Sequence, residues 1–183
     1  SPLGVFFVPE EYIPRRPNIQ SLDQRILNMS LKGEQVSHKT HQEYSKDRKI
    51  AVGDMAERTV YDALMSFYKG TETETVLVIK GLQMLHADQT ARKKYGREMD
   101  FLIVHYELAL ILNIEVKNTL TKEAYSKVDP YSKVCHQLEE NQAYLEDWLT
   151  CDISEEWRFV SMVYVNNLDK KLQYLQDNVF FSV

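Results

Sequence analysis

Two runs of β-forming residues follow each other with almost nothing between them, and this feature constrains the fold more than any other. The runs are Met99 to Tyr106 and Leu108 to Val116. Such a pair predicts a β-hairpin with a tight turn near Glu107. Alternate residues of the second run, from Leu110 to Val116, are all apolar, which is typical of a central strand. The sequence therefore predicts a hairpin at the centre of a sheet.

Helical and strand patterns alternate on either side of this hairpin. An order of helix, strand, hairpin, helix and strand predicts an α/β fold with a mixed central sheet that helices flank. The flanking elements are a helix from Ala51 to about Gly70, a strand from Thr75 to Ile79, a helix from Ser132 to Leu149, a strand from Arg158 to Val165 and a turn at Asn166 and Asn167.

The first 50 residues differ from the rest of the chain. Pro2, Pro9, Pro14 and Pro17 are four of the five prolines, and proline interrupts both helices and sheet ladders. We expect an extended, Pro-rich N-terminal arm over residues 1–50, with a short helix near residues 21–31. Residues 37–49 fit either a loop or a surface helix. The main domain is expected over residues 51–183.

Composition excludes some classes of function. The net charge of −5 argues against a protein that coats nucleic acid without specificity, although a carboxylate-rich metal site is itself acidic. The apolar runs are too short to span a bilayer, and no signal peptide is visible, so we expect no membrane partner. Cys135 and Cys151 are too few for a disulfide scaffold or a zinc site, which favours reduced thiols and an intracellular protein.

The hairpin brings together residues that suit metal chemistry. Glu115 and Lys117 share one face of their strand, and the tight turn places Asp100 across from them. Carboxylates are hard ligands for Mg²⁺ or Mn²⁺, and such a cation assists phosphodiester hydrolysis by neutralising the phosphate and lowering the pKa of bound water. The lysine stabilises growing charge or holds the attacking water. Without a cation, we expect one of the close carboxylates to take up a proton.

An Asp, a hairpin and then Glu-x-Lys resemble the core of the PD-(D/E)xK nuclease superfamily. The sequence looks most like its nuclease-related domain branch, and the resemblance covers about Gly53 to Val165. Two departures are a Gly-to-Glu spacing that is one residue longer and Met99 where the superfamily has proline. The motifs are Gly53 to Glu57, Gly96 to Asp100, Ile114 to Asn118, Asp129-Pro130 and Gln137.

The resemblance implies a restriction-endonuclease-like fold and a set of roles. Catalysis would involve Lys117, Glu115, Asp100 and Gln137, with Gln137 contacting the phosphate or orienting the lysine. One or two divalent cations, Mg²⁺ or Mn²⁺, would be bound by Glu57, Asp100, Glu115 and the Val116 carbonyl. Helical periodicity agrees in placing Glu57 and Gln137 toward the buried sides of their helices.

The sequence leaves the roles of several residues open. Glu98 fits a further metal ligand or a solvent-exposed residue equally well. His86 and Asp88 also fit an approach to the metal. The Glu115 and Lys117 pair alone fits a solvated ion pair. Basic residues before Asp100 and after Lys117 fit either a phosphate-backbone contact or solvated loops, and they are Arg92, Lys93, Lys94, Arg97, Lys122, Lys127 and Lys133.

The expected function is that of a metal-dependent nuclease that cleaves DNA or RNA with little sequence specificity, because no base-reading motif is visible. A catalytically inactive nuclease fold that binds nucleic acid or a protein partner is the alternative. A third hypothesis is homo-oligomerisation through the proline-rich arm.

Overall fold

A computed structural model of the chain describes residues 3–14, 24, 27–29, 31–33, 38–86, 95–120, 130–149, 156–168 and 179–181. Six strands and two long helices make up most of this part of the chain. The elements are β1 (Gly4–Val8), α1 (His38–Phe67), β2 (Thr75–His86), β3 (Tyr95–His105), β4 (Leu110–Leu120), α2 (Pro130–Leu149), β5 (Arg158–Leu168) and β6 (Val179–Phe181).

The strands form one sheet in the order β1-β2-β3-β4-β5-β6. β2, β3 and β4 are antiparallel neighbours, whereas β1 pairs with β2, β4 with β5 and β5 with β6 in parallel. The sheet is therefore mixed. The predicted α/β class and the central hairpin of β3 and β4 are confirmed, and the helices flank the sheet as expected.

Helix α1 packs one stripe against the sheet. Its residues in this core are Ala56, Val60 and Tyr61, one turn or one residue apart, and Phe101 is fully buried beneath them. Burial of a side chain as large as phenylalanine contributes about 1.5–3 kcal/mol. The strand residues of this core are Val76, Val78, Phe101, Ile103, Ile114 and Val116.

Helix α2 lies on the opposite side of the hairpin. Its Leu145 packs with Met99 and Leu102 of β3 and with Ile111 of β4. In the described part of the chain, neither long helix has the length and apolarity needed to cross a bilayer. The hairpin is thus covered by α1 through one set of residues and by α2 through the other.

The start of the chain differs from the expected arm. Gly4–Val8 forms β1, which pairs with β2 in parallel at the edge of the sheet. Helix α1 begins at His38, so the helical alternative for the segment before Ala51 is confirmed, and this segment is continuous with the helix expected from Ala51. The prolines mislead because they flank the strand: Pro9 follows β1, and an edge strand tolerates such a neighbour. The side chains that the structure describes between Gln42 and Lys49 are mostly exposed, so this part of α1 has little apolar periodicity to mark it.

Two further expectations change in detail. Asn166 and Asn167 lie within β5 and pair with β4 through Asn167, so the turn predicted there is wrong. β2 continues without interruption from Thr75 to His86. Residues 24, 27–29 and 31 have helical backbone, in agreement with the short helix expected there.

Strand β2 reverses its side-chain alternation at Gly81. Val78 packs under α1, and Lys80 contacts Glu57 of α1, yet Leu82 packs with the cluster on the α2 side. Gly81 lies between them with a φ of +68°, which L-amino acids other than glycine rarely adopt. The reversal places Lys80 beside α1 at the point where the core ends.

Replacing Gly81 by alanine is expected to destabilise the protein by about 1–2 kcal/mol, because the added Cβ strains a backbone with positive φ. Steric crowding adds little, since the nearest atom to such a Cβ is Glu98 Oε1 at 3.7 Å. The measurement is the free energy of unfolding in urea. Gly53→Ala is the matched control: Gly53 lies in α1, a Cβ there meets no atom within 4 Å, and alanine favours helix. A Gly81→Ala variant as stable as Gly53→Ala would contradict the argument.

Candidate metal centre

Strands β3 and β4 separate where the hairpin opens. Their pairing in the described ladder ends at Phe101 and Ile114. One residue further, Asp100 Oδ2 accepts a hydrogen bond from the backbone N–H of Val116 at 2.8 Å. A side-chain carboxylate thus accepts the hydrogen bond that a backbone carbonyl would accept in a regular ladder. The opening exposes the space between α1 and α2 at this end of the sheet.

A cleft of about 370 Å³ occupies this opening. It joins residues of α1, β3, β4 and α2, and it includes every residue for which the sequence predicted a catalytic or metal-binding role. Its lining residues are Lys49, Ile50, Gly53, Asp54, Glu57, Glu98, Asp100, Glu115, Val116, Lys117 and Gln137.

Three carboxylates of the cleft lie close enough to share a cation. One oxygen from each of Glu57, Glu98 and Asp100 lies within 4.8 Å of the others. Glu57 and Asp100 are buried, with 6% and 8% of their surface exposed. Hard oxygen donors at such distances fit Mg²⁺ or Mn²⁺. Of the two roles left open for Glu98, its position within this cluster favours that of a further metal ligand.

Glu115, Lys117 and Gln137 form a second group in the same cleft. Gln137 Nε2 donates a hydrogen bond to Glu115 Oε1 at 2.7 Å. Lys117 Nζ lies 3.2 Å from the same oxygen and donates to Gln137 Oε1 at 3.3 Å. Glu115 and Lys117 project from the same face of β4, as their spacing predicts, and Gln137 reaches them from α2.

The second oxygen of Glu115 points to a ligand. Glu115 is only 3% exposed, and among the described residues its Oε2 has no hydrogen-bond partner. A buried carboxylate oxygen without a donor costs free energy unless a cation or an ordered water satisfies it. Glu115 therefore has an oxygen available to a cation or to a water in the cleft.

Burial and the nearby Glu115 carboxylate raise the pKa of Asp100 to about 6. Hydrogen bonds from the Val116 N–H and with Glu57, and the charge of Lys117, act in the opposite direction. Burial and repulsion exceed these favourable contacts, as two close carboxylates in a low dielectric require. This bears out the expectation that one carboxylate tends toward protonation, and a cation in the cleft would oppose it.

Three residues in or next to the cleft are absent from the sequence prediction: Asp54, which lines the cleft, and Lys80 and Tyr12, which contact its lining residues. Lys80 Nζ lies 3.6 Å from Glu57 Oε2, and both side chains are 8% exposed. The Tyr12 hydroxyl donates to the Asp54 carbonyl oxygen at 2.7 Å and also contacts the Asp54 carboxylate. Lys80 had a detectable signal, because Val76, Val78 and Lys80 alternate and the first two are core residues. Tyr12 had none, since it lies in the expected arm.

Other predicted contacts fall partly or wholly beyond the described residues. Val116 lines the cleft, as its assigned role requires. The backbones of Arg97 and Lys133 lie in β3 and α2, but their side chains are outside the described part of the chain, as is the side chain of His86. The predicted residues that lie entirely outside the described ranges are Asp88, Arg92, Lys93, Lys94, Lys122 and Lys127.

Comparison with known proteins adds no assignment. No protein-family model matches the sequence. No curated protein and no solved structure matches it. The chemistry of the cleft is therefore the basis for assigning a function.

Proposed function

We propose that this protein is a divalent-metal-dependent nuclease that hydrolyses phosphodiester bonds in DNA or RNA with little sequence specificity. The proposal includes the restriction-endonuclease-like classification of the fold and membership of the PD-(D/E)xK superfamily. One observation carries it: the Glu57, Glu98 and Asp100 cluster and the Glu115, Lys117 and Gln137 group line a single cleft.

The two groups of polar residues in the cleft divide the roles in hydrolysis between them. Glu57, Asp100 and Glu115 are the metal ligands, with Glu98 beside them and the Val116 carbonyl available. When bound, Mg²⁺ or Mn²⁺ supplies Lewis acidity for the attacking water and the phosphate.

The ammonium group of Lys117 stabilises the charge that grows on the phosphoryl oxygens as water attacks phosphorus and the bond to the leaving oxygen breaks. Gln137 holds the Glu115 carboxylate and accepts a hydrogen bond from Lys117, so it fixes the relative position of the two. The Glu115 carboxylate and the Lys117 ammonium group are therefore held in a fixed geometry before the substrate binds.

Basic residues near the cleft favour the hypothesis of a polyanionic substrate. Lys49 lines the cleft from α1, and it is exposed to solvent. Arg48 and Lys46 precede it on the same helix. Lysines and arginines beside an acidic site can hold the phosphate backbone on either side of the bond that is cut. The predicted contacts of Arg92, Lys93, Lys94, Arg97, Lys122, Lys127 and Lys133 remain part of this proposal.

The test is a cleavage panel of single-stranded and double-stranded DNA, single-stranded RNA and supercoiled plasmid. Each substrate is incubated with Mn²⁺, Mg²⁺ or EDTA. We expect cleavage of at least one substrate with either cation and none with EDTA. The panel also identifies the substrate class and whether closed circles are cut, which distinguishes internal from terminal cleavage.

The absence of cleavage under all cation conditions would contradict a nuclease. Binding of the same substrates without cleavage, measured by fluorescence anisotropy, would then support the inactive binding module. Mn²⁺ binding that persists without cleavage would identify the cleft as a metal centre with another purpose. Homo-oligomerisation through the N-terminal arm is tested separately by the mass of the protein in solution, with and without residues 1–50.

A further inference from the structure

Lys80 is a buried lysine that has no part in the proposed hydrolysis. It projects from β2 behind Glu57, and its ammonium group lies 3.6 Å from Glu57 Oε2. A buried ammonium is costly unless a counter-charge pairs with it. The lysine therefore places a positive charge beside a carboxylate that also belongs to the Glu57, Glu98 and Asp100 cluster.

We propose that the cleft holds a single divalent cation, and that Lys80 supplies from inside the protein the positive charge that a second cation would bring. This inference rests on the proposed function. It assigns to Lys80 a positioning role: the lysine acts through Glu57 and does not touch the substrate.

The first support is the arrangement of the oxygens. Glu57, Glu98 and Asp100 offer atoms within 4.8 Å of one another, which is the spacing of ligands around one ion. In two-metal sites the ions lie about 3.5–4 Å apart and share carboxylates. Glu57 of the cluster and Glu115 beside it each have an oxygen within ion-pair distance of an ammonium group, Glu57 at 3.6 Å from Lys80 and Glu115 at 3.2 Å from Lys117.

The second support is the balance of charge. The cleft is lined by five carboxylates, and its positive groups are two lining lysines together with Lys80 behind Glu57. Five negative and three positive charges leave two negative charges, which one divalent cation neutralises. A second divalent cation would leave an excess of positive charge in the cleft before substrate binds. The groups are Asp54, Glu57, Glu98, Asp100, Glu115, Lys49, Lys117 and Lys80.

The third support is that Lys80 is held in place. Its Nζ lies 4.8 Å from the centre of the Tyr12 ring, within the range of a cation–π interaction. The Tyr12 hydroxyl is itself bonded to Asp54 of α1, one turn from Glu57. The Tyr61 hydroxyl donates to the Pro9 carbonyl at 2.8 Å and fixes the preceding segment. The N-terminal segment therefore confines Lys80 to the side of Glu57 that faces away from the cleft.

The experiment counts Mn²⁺ ions on the intact chain by titration, with free Mn²⁺ followed by electron paramagnetic resonance. We expect one ion per wild-type chain, with no second ion bound at tenfold higher concentration. In Lys80→Met, which keeps the length of the side chain and removes its charge, we expect a second ion to bind at least about tenfold more tightly than to wild type. Lys69→Met, at an exposed lysine beyond α1, is the matched control and should leave the count at one.

Two ions on the wild-type chain would overturn the inference, as would a Lys80→Met variant with the wild-type binding curve. Lys80→Arg keeps the charge and should keep the count at one even if the methionine variant fails to fold. Failure of this inference is distinct from failure of the proposed function: cleavage with two bound ions refutes only the single-cation site. A wild-type chain that neither binds Mn²⁺ nor cleaves would refute both.

Discussion

Asp100→Asn is expected to abolish Mn²⁺ binding at the cleft and, without metal, to make the protein more stable at pH 8. The amide keeps an oxygen that accepts the Val116 N–H, so the local backbone contact survives. It removes a buried carboxylate that lies near Glu115 and whose pKa is raised to about 6. The cation loses a charged ligand, whereas the empty cleft loses a source of repulsion.

The sign of the pH dependence follows from the direction of the pKa shift. The folded state binds the Asp100 proton more tightly than the unfolded chain, whose aspartate pKa is 3.8. This group therefore stabilises the metal-free fold fully below about pH 4, and the contribution is lost as the pH rises through about 6. The loss is on the order of 2–3 kcal/mol between these limits.

The measurement is urea unfolding of wild type and Asp100→Asn in EDTA between pH 4 and pH 8. The asparagine variant should gain stability relative to wild type as the pH rises through 6, with little further change above pH 7. In wild type, Mn²⁺ binding should strengthen over the same range, since the cation must displace the proton. Asp62→Asn is the control: its carboxylate is 65% exposed, and we expect a change below about 0.5 kcal/mol. A variant less stable than wild type at pH 8 would contradict the account.

The centre of the fold could be predicted from the sequence because its signals are local. Glu115 and Lys117 alternate with Ile114 and Val116, and that alternation assigned the faces of β4 correctly. The tight turn after His105 set the antiparallel pairing that brings Asp100 to Val116. Strands that follow each other directly leave little freedom in how they pair.

The parts that could not be predicted depend on contacts between distant segments. β1 pairs with β2 across about 70 residues, and nothing in Gly4–Val8 specifies its partner. Met55 and Phe67 fit the helical spacing of α1 but are 64% and 77% exposed, because the orientation of the helix is set by what it packs against. The hydrogen bond between Tyr12 and Asp54 likewise joins two segments that are distant in sequence.

The structure brings the residues of the predicted site into one cleft, and the sequence prediction omitted a positive charge that lies beside it. Glu57 and Gln137 were placed by a resemblance, and the structure brings both into the cleft. The sequence did not reveal Lys80, because a lysine at the end of a strand is normally interpreted as exposed. The reversal at Gly81 keeps it on the α1 side and buries it.

Lys117→Met is expected to lower the rate of phosphodiester cleavage by at least about 100-fold while metal binding is retained. The Lys117 ammonium lies 3.2 Å from Glu115 Oε1, so its loss removes positive charge from beside the reacting phosphate. Loss of one group that stabilises transition-state charge typically costs 10²–10³ in rate. Mn²⁺ affinity should stay equal or rise, because the lysine and the cation repel each other.

Separate measurement of cleavage and of binding distinguishes this role from a structural one. Rates are taken at saturating Mn²⁺ on the substrate that the panel identifies, and Mn²⁺ affinity is taken by calorimetry on the same preparations. Lys69→Met should cleave at the wild-type rate, because Lys69 lies outside the cleft and is exposed. Lys117→Arg should recover part of the rate, since it restores charge with a different geometry. Cleavage by Lys117→Met within threefold of wild type would show that the lysine only balances the charge of Glu115, as an ordinary ion pair would.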